Sequence, residues 1–413
     1  MERVANYPVF HARSLRNVQV KFARNGENPS DIVRGSFFDC MNSNERKEAR
    51  YQRRKEKRLL RRAKTNAPHN DFNILTNPET LLQSYKKCRK GVSWKYSVQN
   101  YGIDLIRNIS DAIKDLERGI LPTRGFKCFK INERGKIRNI KSPHISERVV
   151  QKTLCDHVLT PILTRPLIYD NGASVRGKGT AFSRKRLVRH MSEYYRLHGA
   201  DGYALIIDYS KYFDRIDHET LYKMADEYIT NPRVQGIYKQ AVDEFGETGL
   251  GLGSQVSQIL AIFYPNKIDH FIKETLRIRY YGRYMDDSYL LHQSKEYLQY
   301  CLECIRFLCK KYKIVLNEKK TRIVRLRQGV PFLHCKYRYA ATGRILKNGG
   351  RESAKRMKRK LKYFARQRAA GKMTISYIRD VYQSWRGFMR QFANREILRN
   401  VDALYNSLFL QEH

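Results

Sequence analysis

Two acidic positions in this 413-residue sequence stand where buried strands should end. The first is Asp208, which closes the apolar, β-branched run Tyr203-Ala204-Leu205-Ile206-Ile207. The second is the pair Asp286-Asp287, 78 residues further on, between Tyr280–Tyr284 and Ser288–His292, which read as the two strands of a hairpin. Carboxylates in such places are costly unless cations neutralise them. Hard oxygens of this kind suit magnesium, which takes one or two carboxylates together with substrate phosphates. Two such ions about 3.5–4 Å apart activate an attacking hydroxyl and stabilise the leaving oxygen of a phosphoryl displacement. An adjacent Asp pair is also ordinary turn chemistry, so spacing by itself leaves both readings open.

Positioning these groups requires strands and helices, and the chain alternates between the two. Asn77-Pro78-Glu79 predicts an N-cap with a first-turn proline, opening a helix to about Lys87. Further helices are predicted over 104–118 and after Pro143 through Gln151, with two short strands flanking the turn Asn132-Glu133-Arg134-Gly135. Asn42 and Glu45 have capping-box spacing ahead of a segment, Glu45 to Lys64, with eleven Lys or Arg, three Glu and almost no apolar face. That segment is a solvated basic helix or an arm that orders on RNA. A second basic stretch, Arg351 to Arg368, has nine Lys or Arg against one Glu, but it also places Met357, Leu361, Phe364 and Ala365 on one helical stripe. It should pack that stripe on the body and turn its cations, Lys355, Arg359 and Lys362 among them, outward. Cys301, Cys304 and Cys309 recur with Tyr297, Leu298, Ile305 and Leu308 at helical spacing, which favours a packed helix face over a metal knuckle.

The charge balance, 81 Lys plus Arg against 40 Asp plus Glu, leaves a net +41. Such an excess opposes compaction unless an anionic partner takes it up, and nucleic acid is the first candidate. A membrane is disfavoured, because no stretch approaches the roughly 18 uninterrupted apolar residues of a spanning helix. The segment Met1 to Pro8 lacks a secretory profile, and eight thinly spread cysteines fit reduced thiols. A cytoplasmic protein is expected.

With these features in hand, the sequence resembles a bacterial reverse transcriptase of the group II intron, retron and diversity-generating retroelement lineage. Tyr284-Met285-Asp286-Asp287 matches that family's catalytic hairpin, and Asp208-Tyr209-Ser210-Lys211-Tyr212-Phe213-Asp214 its first palm motif. The resemblance implies that Asp208, Asp286 and Asp287 bind two Mg²⁺ ions, with Mn²⁺ as a substitute, and that Phe213 excludes ribose 2′-hydroxyls. Leu252-Gly253-Ser254-Gln255-Val256-Ser257-Gln258 resembles the Gly-x-x-x-Ser motif that supports nucleotide and template, implying nucleic-acid contacts for Gly253 and Ser257 and a nucleotide contact for Gln258. Leu316-Asn317-Glu318-Lys319-Lys320-Thr321 is similar to the later palm motif, which places Lys320 near the triphosphate. Gly135-Lys136-Ile137-Arg138, with Pro143 and Glu147 to Gln151, resembles the fingers motif whose Lys and Arg clamp phosphates, here Lys136 and Arg138. Gly172 to Gly179 matches the following Gly/Arg-rich segment, where Arg176 and Lys178 fit a template phosphate path or simply a solvated basic loop. Val330-Pro331-Phe332-Leu333 is similar to the primer-grip turn, with His334 in place of the usual glycine.

The resemblance runs from about Tyr85 to Tyr339 and implies a right-hand polymerase of α/β (α+β) class with fingers, an antiparallel-sheet palm and a helical thumb. The expected domains are a basic N-terminal extension at 1–75, fingers at 76–200, a palm with interleaved helices at 201–340, and a basic helical thumb at 341–413. In the thumb, helical spacing favours core packing for Tyr377, Tyr382, Trp385 and Phe388. Implied partners are an RNA template, a DNA product and dNTPs, with an accessory protein or a second copy of the chain beyond them. Gln258 stands where intron-encoded enzymes have Pro; Gln there is typical of diversity-generating retroelement enzymes and also occurs in defence-associated ones. The role therefore reads as DNA synthesis with a dedicated noncoding RNA in antiphage defence, against two alternatives. One is a diversity-generating enzyme with an accessory protein, and the other a maturase-like RNA-binding scaffold without essential catalysis.

Overall fold

The computed structural model describes residues 43–133, 136–390 and 395–410. The chain divides into two compact units, Met1–Arg62 and Ala63–His413. Within the first, the described residues belong to the helix Ser43–Asn66, exposed along nearly its whole length. The basic segment is thus helical; Asn42, the cap expected for it, lies outside the described residues. No helix among the described residues is long and apolar enough to cross a membrane.

The second unit is organised on an antiparallel four-stranded sheet of order β4-β5-β3-β6. Its strands are β3 Tyr203–Ile207, β4 Tyr280–Tyr284, β5 Asp287–His292 and β6 Arg322–Arg325. The central strand β3 is an unbroken apolar run because both faces of the sheet are covered. Leu205 and Ile207 enter one core with Tyr281 and Leu290. Ala204 enters the opposite core with Tyr280, Tyr289 and Leu291. The first core extends under the N-terminal helices, where Asn77 Oδ1 accepts from Glu79 N and Thr80 N at 2.9 and 3.2 Å to cap Pro78–Arg89. It also takes in Cys301 and Cys309 of the helix Lys295–Lys311, as their spacing predicts.

Two smaller sheets flank this body. β1 Phe126–Glu133 and β2 Lys136–Pro143 form the predicted hairpin, and β7 Val330–Phe332, β8 Cys335–Tyr339 and β9 Ile345–Gly349 form a three-stranded sheet. The chain then forms a three-helix bundle of Arg351–Ala369, Ile375–Met389 and Arg395–Phe409. Met357, Leu361 and Phe364 enter its core as expected, where the Tyr382 and Tyr405 rings stack at 4.1 Å. The expectation for the aromatics of Ile375–Met389 holds only in part. Ile378, Tyr382 and Met389 make the buried stripe, whereas Tyr377 and Phe388 sit about one residue off it, near 100° round the helix, and are exposed.

One buried polar chain ties the hairpin region to the centre. The fully buried Glu147 accepts from Gln151 Nε2, and Gln151 Oε1 accepts from Ser254 Oγ at 2.9 Å. Ser254 in turn caps the helix Gln255–Phe263. Burial, with Glu244 beside it, holds the Glu147 carboxyl well above the ordinary carboxylate range. It is therefore protonated in the folded chain at neutral pH but ionised when unfolded. Its contribution to stability is undiminished below pH 4.5 and lost progressively as pH rises above that value. Glu147→Gln, which keeps both a donor and an acceptor, should raise stability by about 1–2 kcal/mol at pH 8 and by nothing near pH 4, measured by urea denaturation.

Candidate active site

Two separate segments deliver the acidic groups to one end of the central sheet, and a third brings their hydrogen-bond partners. β3 ends at Ile207 and places the buried Asp208 immediately beyond it. The pairing of Tyr284 with Asp287 makes Met285-Asp286 a two-residue turn, so Asp287 is the first residue of β5 rather than part of the turn. The stretch after Lys295–Lys311 bridges Tyr209 through Leu316 and brings up Asn317 and Lys320. Asn317 Nδ2 donates to Asp208 Oδ2 at 2.9 Å, and Lys320 Nζ to Asp208 Oδ1 at 2.7 Å.

The turn is held from behind. Met285 has φ +54, a left-handed conformation costly for a side-chain-bearing residue. Its carbonyl accepts from Arg283 Nη1 at 3.0 Å. Arg283 is wholly buried; its Nε and Nη2 grip Asp269 at 2.7–3.0 Å, and Nη2 also reaches the Ile262 carbonyl at 2.7 Å. Tyr281 donates to the same Asp269 at 2.5 Å. Each of these groups has a partner, as buried charges require.

The carboxylates disturb one another. Burial raises the Asp286 carboxyl above the usual range, its own backbone N–H lowers it, Asp208 raises it, and Lys320 and Arg138 pull it back. Asp287 is pushed up to about 7 by burial, then by Asp286 and Asp208. Lys320 is raised, chiefly by its hydrogen bond to Asp208. Arg138 of β2 thus acts on Asp286 across space. Of Lys136 only the backbone, the first residue of β2, lies within the described structure. Among the described residues no group of three or more His, Cys, Asp or Glu forms a preassembled metal cage. An all-oxygen set that repels itself suits a hard cation completed by oxygens from elsewhere.

The remaining predicted residues divide. Phe213 is half-buried, and its carbonyl accepts from Leu250 N at 2.6 Å. From there the chain runs to Leu252, whose carbonyl takes Lys141 N of β2 at 3.2 Å, and to Gly253. Gly253 has φ +122, and a Cβ there would lie 2.7 Å from the Lys141 carbonyl oxygen, so only glycine fits. Gln258 is exposed one turn into Gln255–Phe263, but Ser257 is fully buried and faces the core. Arg176 is exposed, whereas Lys178 is engaged within the loop, donating to Tyr169 O at 2.6 Å with its ammonium over the Tyr169 and Phe182 rings. Lys355, Arg359 and Lys362 lie along one exposed face of Arg351–Ala369. The turn at Leu333-His334 has both residues left-handed, φ 47 and 65, the geometry of a two-residue hairpin, with Arg184 Nη2 on Leu333 O at 3.1 Å. Sequence reasoning did not single out Asn317, Asp269 or Arg283. An arginine in the middle of an apolar strand was the available signal for the last.

A search of curated proteins returns no match. A family profile described as "Reverse transcriptase (RNA-dependent DNA polymerase)" matches residues 129–363, more than half of the chain. Similar solved structures include telomerase from Candida albicans in complex with a fragment of telomeric RNA, at 13% identity and TM-score 0.44, over 70% of this chain and 56% of that one. Another is apo telomerase from Candida tropicalis truncated of its C-terminal domain, at 12% identity and TM-score 0.41, over 58% and 59%. This chain thus spans less than two thirds of either. On the profile match, the chain belongs to the reverse transcriptase (RNA-dependent DNA polymerase) family.

Proposed function

We propose that Asp208, Asp286 and Asp287 are the catalytic carboxylates of RNA-templated DNA synthesis and hold its divalent cations. The supporting observation is their convergence from two segments, the end of β3 and the β4–β5 turn, with Lys320 and Arg138 as the cations that offset them. Two Mg²⁺ ions, or Mn²⁺ in their place, would lower the charge cost of the attacking 3′-hydroxyl and the departing pyrophosphate. Lys320, bonded to Asp208 at 2.7 Å, would turn to the triphosphate of an incoming dNTP. Arg138 offers that triphosphate a forked donor from the hairpin, with Lys136 assigned the same role by motif alone. Phe213, set by its carbonyl bond to Leu250, is the gate against ribose. Gln258 faces the nucleotide, and Arg176 with the exposed face of Lys355, Arg359 and Lys362 tracks phosphates of the template–product duplex.

The template in this reading is a dedicated structured noncoding RNA, and the setting antiphage defence. Support comes from Gln258 in the Gly-x-x-x-Ser motif and from the cationic excess of Ser43–Asn66 and Arg351–Ala369. Sequencing of RNA and cDNA that copurify with the chain should give one structured RNA with fixed-end or repetitive cDNA. Adenine-biased errors copied from a repeat would instead assign diversification with an accessory protein. Biological activity surviving loss of both Asp286 and Asp287 would leave an RNA-binding scaffold.

Two substitutions probe the chemistry. Asp286→Asn should reduce primer extension on RNA by about a thousandfold or more with the circular dichroism spectrum unchanged, and wild-type extension would remove Asp286 from the mechanism. Arg283→Met strands Asp269 as an unpaired buried charge and should cost about 3–5 kcal/mol. Arg283→Met with Asp269→Leu should regain most of that stability yet leave Met285 unheld. In that double variant kcat should fall about 10- to 100-fold while KM for dNTP moves less than about threefold. An unchanged kcat would make the clamp purely architectural.

A further inference from the structure

The far end of the central sheet, opposite the acidic end, carries charged and flat side chains that have no part in the chemistry above. β3 begins there at Tyr203, and the register sets Tyr203 between His292 at the end of β5 and Arg325 at the end of β6. The five residues of β3 separate this end from Asp208, a span of about 17 Å. A cavity of about 410 Å³ opens here. His198, the last residue of the helix Thr180–His198, lines it together with Tyr203, Gln293, Arg325 and Arg327.

Backbone contacts fix the frame of this cavity. Gly202 has φ +133, and a Cβ on it would lie 2.0 Å from the Tyr194 hydroxyl oxygen. That hydroxyl donates to the Asp201 carbonyl at 2.8 Å, and Leu326 N donates to the Gly202 carbonyl at 2.9 Å. The lining side chains, by contrast, are available. Asp201 and Arg327 make a forked pair at 2.9 and 3.1 Å, but both are largely exposed, so water screens their attraction. Among the described residues neither the Arg325 guanidinium nor the Tyr203 hydroxyl has a partner. Gln293 Nε2 donates to His198 Nδ1, which puts the proton of the neutral ring on Nε2 and makes that atom a further donor.

We propose that this cavity binds a nucleoside monophosphate, at a site separate from the polymerase chemistry. Arg325, the outer N–H groups of Arg327 and His198 Nε2 take the phosphate, to which a guanidinium offers forked donors. The half-buried Tyr203 ring and the His198 ring give a base flat surfaces to lie on. The Gln293 amide and the Asp201 carboxylate meet the base edge and the ribose hydroxyls. Size argues against a simpler ligand: the volume lies in the range of small-molecule sites, and a lone phosphate would leave most of it unfilled. Asp201 argues against a continuous RNA strand, because an exposed carboxylate on the wall repels successive phosphates. The same carboxylate suits a ribose or a base N–H, which require an acceptor.

The test is equilibrium dialysis of the full chain against AMP, GMP, CMP and UMP in turn, in EDTA. These probes have no pyrophosphate to lose, and about 150 mM salt screens loose attraction to the cationic surface. At least one of them should bind saturably with a Kd of about 10–100 μM. Its nucleoside and inorganic phosphate should each bind at least about tenfold more weakly, because each fills only part of the site. Arg325→Gln with Arg327→Gln should weaken the nucleotide about 10- to 100-fold, while the melting temperature and primer extension stay those of wild type. Arg325→Lys, which keeps the charge and loses the fork, should weaken it by about threefold. Four nucleotides that fail to saturate overturn the site, as does affinity unchanged in the double variant. Inorganic phosphate bound as tightly as any nucleotide also overturns it and leaves a bare anion hole. So does a double variant that loses affinity for a single-stranded RNA of about twelve nucleotides but keeps it for the nucleotide, since the arginines then serve RNA.

Discussion

The turn that bears Asp286 depends on a buried guanidinium. Arg283 donates to Asp269, to the Ile262 carbonyl and to the Met285 carbonyl, while its backbone exchanges hydrogen bonds with Asp170 and Gly172. One residue therefore joins β4, the ends of two helical segments, the Gly/Arg-rich loop and the turn that bears Asp286. A buried ion pair adds little to net stability, because desolvation offsets most of its attraction. What the pair provides is uniqueness: with four directional groups satisfied at once, the left-handed Met285 has one place to sit. The positions of Asp286 and Asp287 follow from that, and so does their proximity to Asp208.

The electrostatics of the acidic end are arranged for a visitor. Asp286 and Asp287 are raised by burial and by neighbouring carboxylates, in a chain whose overall charge is +41. The chain has cations in abundance, and among the described residues Lys320 and Arg138 are the ones that pull Asp286 down most. The rest of the positive charge is displayed on exposed helix faces such as Arg351–Ala369, where phosphates can reach it without desolvating it. The division keeps the sheet end short of positive charge and the rim rich in it.

The legible part of this arrangement was local. Strand β3, the hairpin strands β4 and β5 and the capped helix at Pro78 follow from runs of five to twelve residues whose pattern has a single periodicity. Asp208 and Asp286 could be named because each ends such a run. What sequence could not show were partners chosen across the fold. Asn317 reaches Asp208 over 109 residues, and Ser254 reaches Gln151 over 103. Ser257 and Lys178 show the same limit from the other side. A motif supplies a residue type, but whether its side chain faces a groove, the core or a neighbouring ring is settled by packing. The hairpin turn at Leu333-His334 was obscured because neither residue favours the left-handed conformation that the adjoining strands impose.

The close contact at Gly253 makes two regions one mechanical part. Its backbone lies against the Lys141 carbonyl with no room for a side chain, and Leu252 is hydrogen-bonded to Lys141 itself. A rigid seam of this sort transmits displacement instead of absorbing it. Any swing of the β1–β2 hairpin toward the acidic end must drag the start of Gln255–Phe263, and with it Gln258. The hairpin and the start of Gln255–Phe263 are then two arms of a single lever.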